Sequence, residues 1–143
     1  MNFKKHADRL EHYLEEEFKK ELPVALMPDG SLAYKGFKVK KNKLGSWDLF
    51  RIGGFKLDSF NLKACALMCA KCYSYNGINK YNEIKILDGM YQKHATDASI
   101  FKYRYDTVKD PDRRDLALWR WELSNARAME NKTAIATKFK VMF

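Results

Sequence analysis

The sequence predicts an α+β domain: an N-terminal helix, a three-stranded antiparallel meander, then a packed set of three or four helices. Three observations carry this. Apolar residues recur at steps of three and four over residues 2–22 and again after residue 58. The stretch between them alternates and is punctuated by turn residues. The length of 143 residues suits a single domain with one core, and 46% hydrophobic against 31% charged residues is globular rather than disordered composition.

The first helix is read over residues 2–22, where Phe3, Ala7, Leu10, Leu14, Phe18 and Leu22 form one stripe. Glu15 and Glu16 stand four residues before Lys19 and Lys20, the favourable order for helix pairs, and Pro23 ends the segment. The meander is assigned to residues 23–57. Pro28-Asp29-Gly30 is a turn, because Pro presets one backbone angle and Gly accepts positive φ. Leu32 to Lys41 is rich in strand formers, Asn42 to Gly45 is a second turn, and Trp47 to Ile52 alternates before Gly53-Gly54 closes the unit.

Residues 58–143 read as helical. Asp58 or Ser59 offers a cap to a helix beginning near Asn61 and stopping at Asn76-Gly77. A stripe from Ile78 to Val108 follows, as one helix or as two broken at Gly89 or Thr96-Asp97. Asp110-Pro111 starts the last helix, with Pro at its first position. The tail from Lys138 to Phe143 alternates, as a helix end or a short strand.

The formal charge is +9, from 27 Lys and Arg against 18 Asp and Glu. It is unevenly placed: residues 1–22 sum to −1, residues 23–57 to +5, and residues 111–143 to +3. Such an excess favours anionic partners or a charge-matched neighbour.

The sharpest motif is Cys65-x-x-x-Cys69-x-x-Cys72. Three thiolates at this spacing can hold three irons of a four-iron cluster, and the spacing matches the cluster loop of radical S-adenosylmethionine enzymes. Here, however, the cysteines sit in a strong helix former, and Lys71 stands where that family usually carries an aromatic. On a helix the three share a face, so they are read as small core hydrophobes. Zinc would need a fourth ligand such as His94, and spacing gives that no support. Asp8, His12 and Glu16 share a helical face, which is read as solvated. No nucleophile elbow or phosphate-binding glycine loop occurs. The expectation is therefore a non-enzyme with no metal and no cofactor.

The functional expectation rests on two surfaces. Lys35, Lys38, Lys40, Lys41 and Lys43 are crowded into the meander with aromatics between them. Lysines beside exposed rings hold single-stranded nucleic acid, because phosphates need cations and bases stack on rings. Edge strands also carry lysine merely to block aggregation. In the last helix and tail, Trp119, Trp121, Phe139 and Phe143 could anchor a protein partner or a second copy, or could fill the core.

The runs Leu26-Met-Pro-Asp-Gly-Ser-Leu-Ala-Tyr-Lys-Gly-Phe37, Asp58-Ser-Phe-Asn-Leu-Lys63 and Tyr81-Asn-Glu-Ile-Lys-Ile-Leu-Asp88 resemble small uncharacterised proteins of tailed marine phages, T4-like cyanophages especially. The resemblance implies a phage origin, synthesis in the host cytoplasm, and use as a virion part or a host-directed factor. It assigns no functional residue. No segment approaches the roughly 18 apolar residues of a membrane span. The charged N-terminus lacks a secretory core, and three cysteines within eight residues are no disulfide framework. The function expected is binding, as a virion structural or assembly component, with nucleic-acid binding as the alternative.

Overall fold

The computed structural model describes residues 25–143, and the helix expected over residues 2–22 lies outside the described residues. The described chain is α+β. A five-stranded sheet comes first: β1 Ala25–Leu26, β2 Leu32–Tyr34, β3 Phe37–Lys41, β4 Trp47–Arg51 and β5 Lys56–Phe60. The strands run in sequence order, each antiparallel to the next. Three helices follow: α1 Lys63–Ser74, α2 Ile78–Thr107 and α3 Pro111–Met142.

The meander thus has five strands rather than three, for local reasons. Leu32 to Lys41 is not one strand, because Lys35 (φ 44°) and Gly36 (φ 86°) both adopt left-handed backbone. Two consecutive positive-φ residues make the tight hairpin that matches strand twist. At the other end, Asp58 and Ser59 do not cap a helix. They lie within β5, where Ser59 Oγ donates to Asp48 Oδ1 on β4 (2.7 Å). A register shift at Leu49/Phe50 marks a bulge between β4 and β5. The Asn42 turn builds itself: the Asn42 side-chain oxygen accepts from the Leu44 and Ser46 amides at 2.9 and 3.0 Å.

Helix α1 starts at Lys63 with no side-chain cap of its own. Eight of its twelve residues are buried, including all three cysteines. A helix apolar nearly all round belongs inside. It fills the space between the inner sheet face (Tyr34, Phe37, Val39, Leu49, Phe60) and one half of the α2–α3 pair, where Ile84, Ile135 and Phe139 meet it. Left-handed Asn76 (φ 59°) ends it, and the Gly77 amide donates to Cys72 O (2.8 Å).

Helix α2 is one continuous helix of 30 residues, about 45 Å long at 1.5 Å per residue. Residues 108–110 turn the chain back. Asp110 caps α3 by accepting from the Arg113 amide (3.1 Å), and Pro111 is its first residue. Helix α3 runs 32 residues to Met142, so the tail is helical. Both helices outlast the sheet and α1. Their distal halves, roughly residues 94–128, extend as a two-helix arm beyond the packed base, and none of these residues belongs to the core cluster.

Candidate binding surfaces

The lysine-rich strand places its side chains by the period of two. On β3, Phe37 and Val39 are buried against α1 while Lys38 and Lys40 point to the outer sheet face. The five lysines do not form one surface. Lys35 lies in the β2–β3 turn with its ammonium 5.6 Å from the Tyr34 ring. Lys43 lies in the turn at the other end of β3. Lys41 leans over Trp47 (5.9 Å), a ring that Lys63 also covers (5.3 Å).

Lys38 and Lys40 do share a face, and Asp29 sits between them at 3.9 and 3.7 Å. The Asp29 carboxyl is held down at about 2, first by the Ser31 hydroxyl and amide and then by the two lysines. The aromatic on this face is half-buried Phe50, with Lys38 5.3 Å from its centre and Lys56 paired opposite it. Phe37 faces the core. The sheet therefore presents lysines around one ring that a lysine already covers, rather than a row of open stacking platforms.

A second polar site was not anticipated from the sequence. Asp88, 2% exposed, reaches from α2 to the start of α1. Its carboxylate accepts from the Asn61 amide (2.9 Å), the Leu62 amide (3.0 Å) and Asn61 Nδ2 (3.0 Å). It supplies, from another helix, the cap that α1 lacks. Burial raises its pKa, and the amide bonds only partly oppose this. Beside it Asp58 accepts from Lys85 Nζ (2.7 Å) and from the Tyr81 hydroxyl. Burial pushes Asp58 up, but the bonds from Lys85, Tyr81 and the Ser59 amide outweigh it and leave the pKa lowered. An acid in register with Ile84, Leu87 and Tyr91 was the available signal for Asp88.

This cluster fastens β5 and α1 to α2. Every strong donor in it already has an acceptor, and the neighbouring Cys65 thiol is pushed well up, by burial first and then by Asp88. Cys69 is raised likewise by burial, and Cys72 more modestly. Thiols held protonated inside a helix are suited to packing rather than to nucleophilic attack. Among the described residues, no three His, Cys, Asp or Glu side chains are grouped to hold a metal ion.

The four aromatics expected at an interface separate into two pairs. Phe139 is 3% exposed and belongs to the core of the base, and partly buried Phe143 packs on it (4.9 Å) and meets Tyr34 edge-on (5.8 Å). Phe139 is thereby withdrawn from any free surface, while Phe143, just past the end of α3, is partly buried against the core. Trp121 is half-buried on the arm against Tyr105 (6.1 Å), under Lys102 (5.0 Å). Trp119 is 60% exposed. Two residues on a helix differ by roughly 200° in direction, which separates the two tryptophans. The arm also exposes Tyr103 (69%), Leu116 (46%) and Ile100 (44%). A cleft of about 300 Å³ opens near its tip between the end of α2 and the start of α3.

Comparison with known protein families, with curated proteins and with solved structures finds no match. No helix among the described residues is long and apolar enough to cross a membrane.

Proposed function

We propose that this chain is a non-enzymatic binding protein, a structural or assembly component of a phage, and that the arm of α2 and α3 is its contact surface. One observation carries the reading. The arm leaves Ile100, Tyr103, Leu116 and Trp119 exposed, half-buries Phe101, Tyr105, Leu118, Trp121 and Leu123, and fully buries only the small residues Ala98, Ala117, Ser124 and Ala128 along its seam. Aromatic and aliphatic anchors on an exposed element concentrate binding energy when a partner removes them from water. The phage assignment rests on the resemblance of the three sequence runs described above.

A photo-crosslinking residue placed at Trp119, and separately at Leu44 on the sheet side, tests this in the producing cell. A discrete protein adduct from position 119, absent from position 44, is the expected result. Adducts from position 44 alone would move the contact surface to the sheet.

A second reading is favoured by Lys38, Lys40 and Lys56 around Phe50, a patch that could follow a phosphate backbone. A mobility-shift titration of DNA and RNA at two salt concentrations, with Lys38, Lys40, Lys41 and Lys43 changed to Glu as control, separates the two. Phosphate binding weakens steeply with salt through counterion release, whereas an apolar contact does not.

A further inference from the structure

We infer that the cleft at the tip of the arm takes an acidic peptide segment of a partner protein, with an apolar side chain on its floor and its carboxylates on Arg104, Arg113 and Arg120. The inference rests on the arm being the contact surface and adds the chemistry of the partner. The cleft, about 300 Å³, has a floor of Phe101, Val108 and Leu116, and the three arginines are the charged residues of its lining. No carboxylate among the described residues is ion-paired with them. The nearby acids are Asp106, held by Lys102 (2.7 Å), Asp110, used by the α3 cap, and Asp112 and Asp115, which do not line the cleft.

Three cations around one cleft repel each other, and Arg113 stands in the first turn of α3, at the positive end of the helix dipole. An anion in the cleft relieves both penalties. A guanidinium fork matches a carboxylate with two parallel hydrogen bonds, which favours Arg over Lys in this role. The floor adds a second requirement, since it gains only by covering apolar surface. A nucleic-acid backbone supplies anions but no aliphatic anchor. The ring a base would stack on is already flanked, with the Arg104 and Arg120 guanidiniums 5.5 and 5.7 Å from the centre of Phe101. A second copy of this chain, at +9, brings like charge.

The test is selection from a displayed random peptide library on the full chain, with counter-selection on the Arg104→Glu/Arg113→Glu/Arg120→Glu variant. Enriched peptides should pair Asp or Glu with Leu, Ile or Phe. Their affinity should fall about tenfold for each of Arg104→Ala, Arg113→Ala and Arg120→Ala, and should recover only in part with Arg113→Lys. Thermal melts of each variant should match the parent, because these side chains are exposed. The inference is overturned if no peptide is enriched, if enriched peptides lack acids, if the arginine variants bind them equally, or if a thymidine oligonucleotide displaces them at equal concentration. Any of these results with the position-119 crosslink intact overturns the partner chemistry alone. Loss of that crosslink as well removes the arm reading.

Discussion

The base and the arm share two helices yet are built by opposite rules. In the base, α1 buries eight of its twelve residues, and large side chains such as Phe60, Leu67, Met68, Ile84 and Ile135 lie wholly inside. In the arm, the fully buried residues are alanines and a serine, Phe101, Tyr105, Leu118, Trp121 and Leu123 are only half-buried, and Ile100, Tyr103, Leu116 and Trp119 face water. Small residues let two helices approach closely but contribute little transfer free energy. The base therefore supplies most of the stability, and the arm holds apolar surface in reserve. The arm is continuous with the helix halves anchored under α1 and the sheet.

Substitutions sharpen this contrast, beginning with the largest effects. Ile84→Ala, Ile135→Ala or Leu67→Ala should each lower unfolding free energy by about 2–5 kcal/mol in urea titrations, through lost transfer energy and a residual cavity. The same truncation at Ile100, 44% exposed on the arm, should cost about 1 kcal/mol or less. A comparable loss at both places would erase the distinction.

Next comes the Asp88 clip. Asp88→Ala leaves the Asn61 and Leu62 amides without their acceptor and should cost about 1–3 kcal/mol. Asp88→Asn keeps one acceptor oxygen and should cost less. Equal stability of Asp88→Ala and the parent would show that the cap is dispensable.

Titration gives an intermediate effect. Asp58 lies below its ordinary value of 3.8 in the folded chain, so its contribution is complete above that pH and is lost as acid protonates it. Asp29 and Glu83 act in the same sense from exposed positions. Asp88 lies above 3.8, so its ionisation costs stability as pH rises and it partly offsets the others in acid. Stability measured from pH 5 to 2 should fall, less steeply in Asp58→Asn and more steeply in Asp88→Asn. The opposite order would contradict the two directions.

The smallest effects lie on the arm. Trp119→Ala should change the unfolding midpoint by the equivalent of about 0.5 kcal/mol or less. Trp121→Ala removes the partner of Tyr105 and Lys102 and should cost more. A larger loss at Trp119 than at Trp121 would place Trp119 in a packed environment.

The residues that read correctly from sequence are those whose pattern matches one local rule. Cys65, Cys69 and Cys72 lie on a helix inside the core, Asp110-Pro111 starts the last helix, and Phe37 and Val39 oppose Lys38 and Lys40 on β3. The misread elements depend on context. Tyr34-Lys-Gly-Phe37 is a hairpin whose first left-handed residue is a lysine, not the usual Asn or Asp. Asp58-Ser59 has the composition of a cap but is consumed by pairing with β4, while the cap arrives from Asp88, 26 residues beyond Leu62. On a helix with apolar residues on several faces, sequence does not say which face meets α1. Phe139 in the core, Phe143 packed against it and Trp119 outside are therefore not separable by pattern. The tip cleft combines residues of two helices across a three-residue turn, so no single run displays it.

Native-state hydrogen exchange tests the division into base and arm most directly. The account predicts that amides of α1 and of residues 81–91 and 131–139 exchange only through global unfolding. Amides of residues 98–107 and 113–124 should exchange at least about tenfold faster through local opening, and should become protected when an acidic peptide occupies the cleft. Uniform protection along α2 and α3 in the free chain would contradict it.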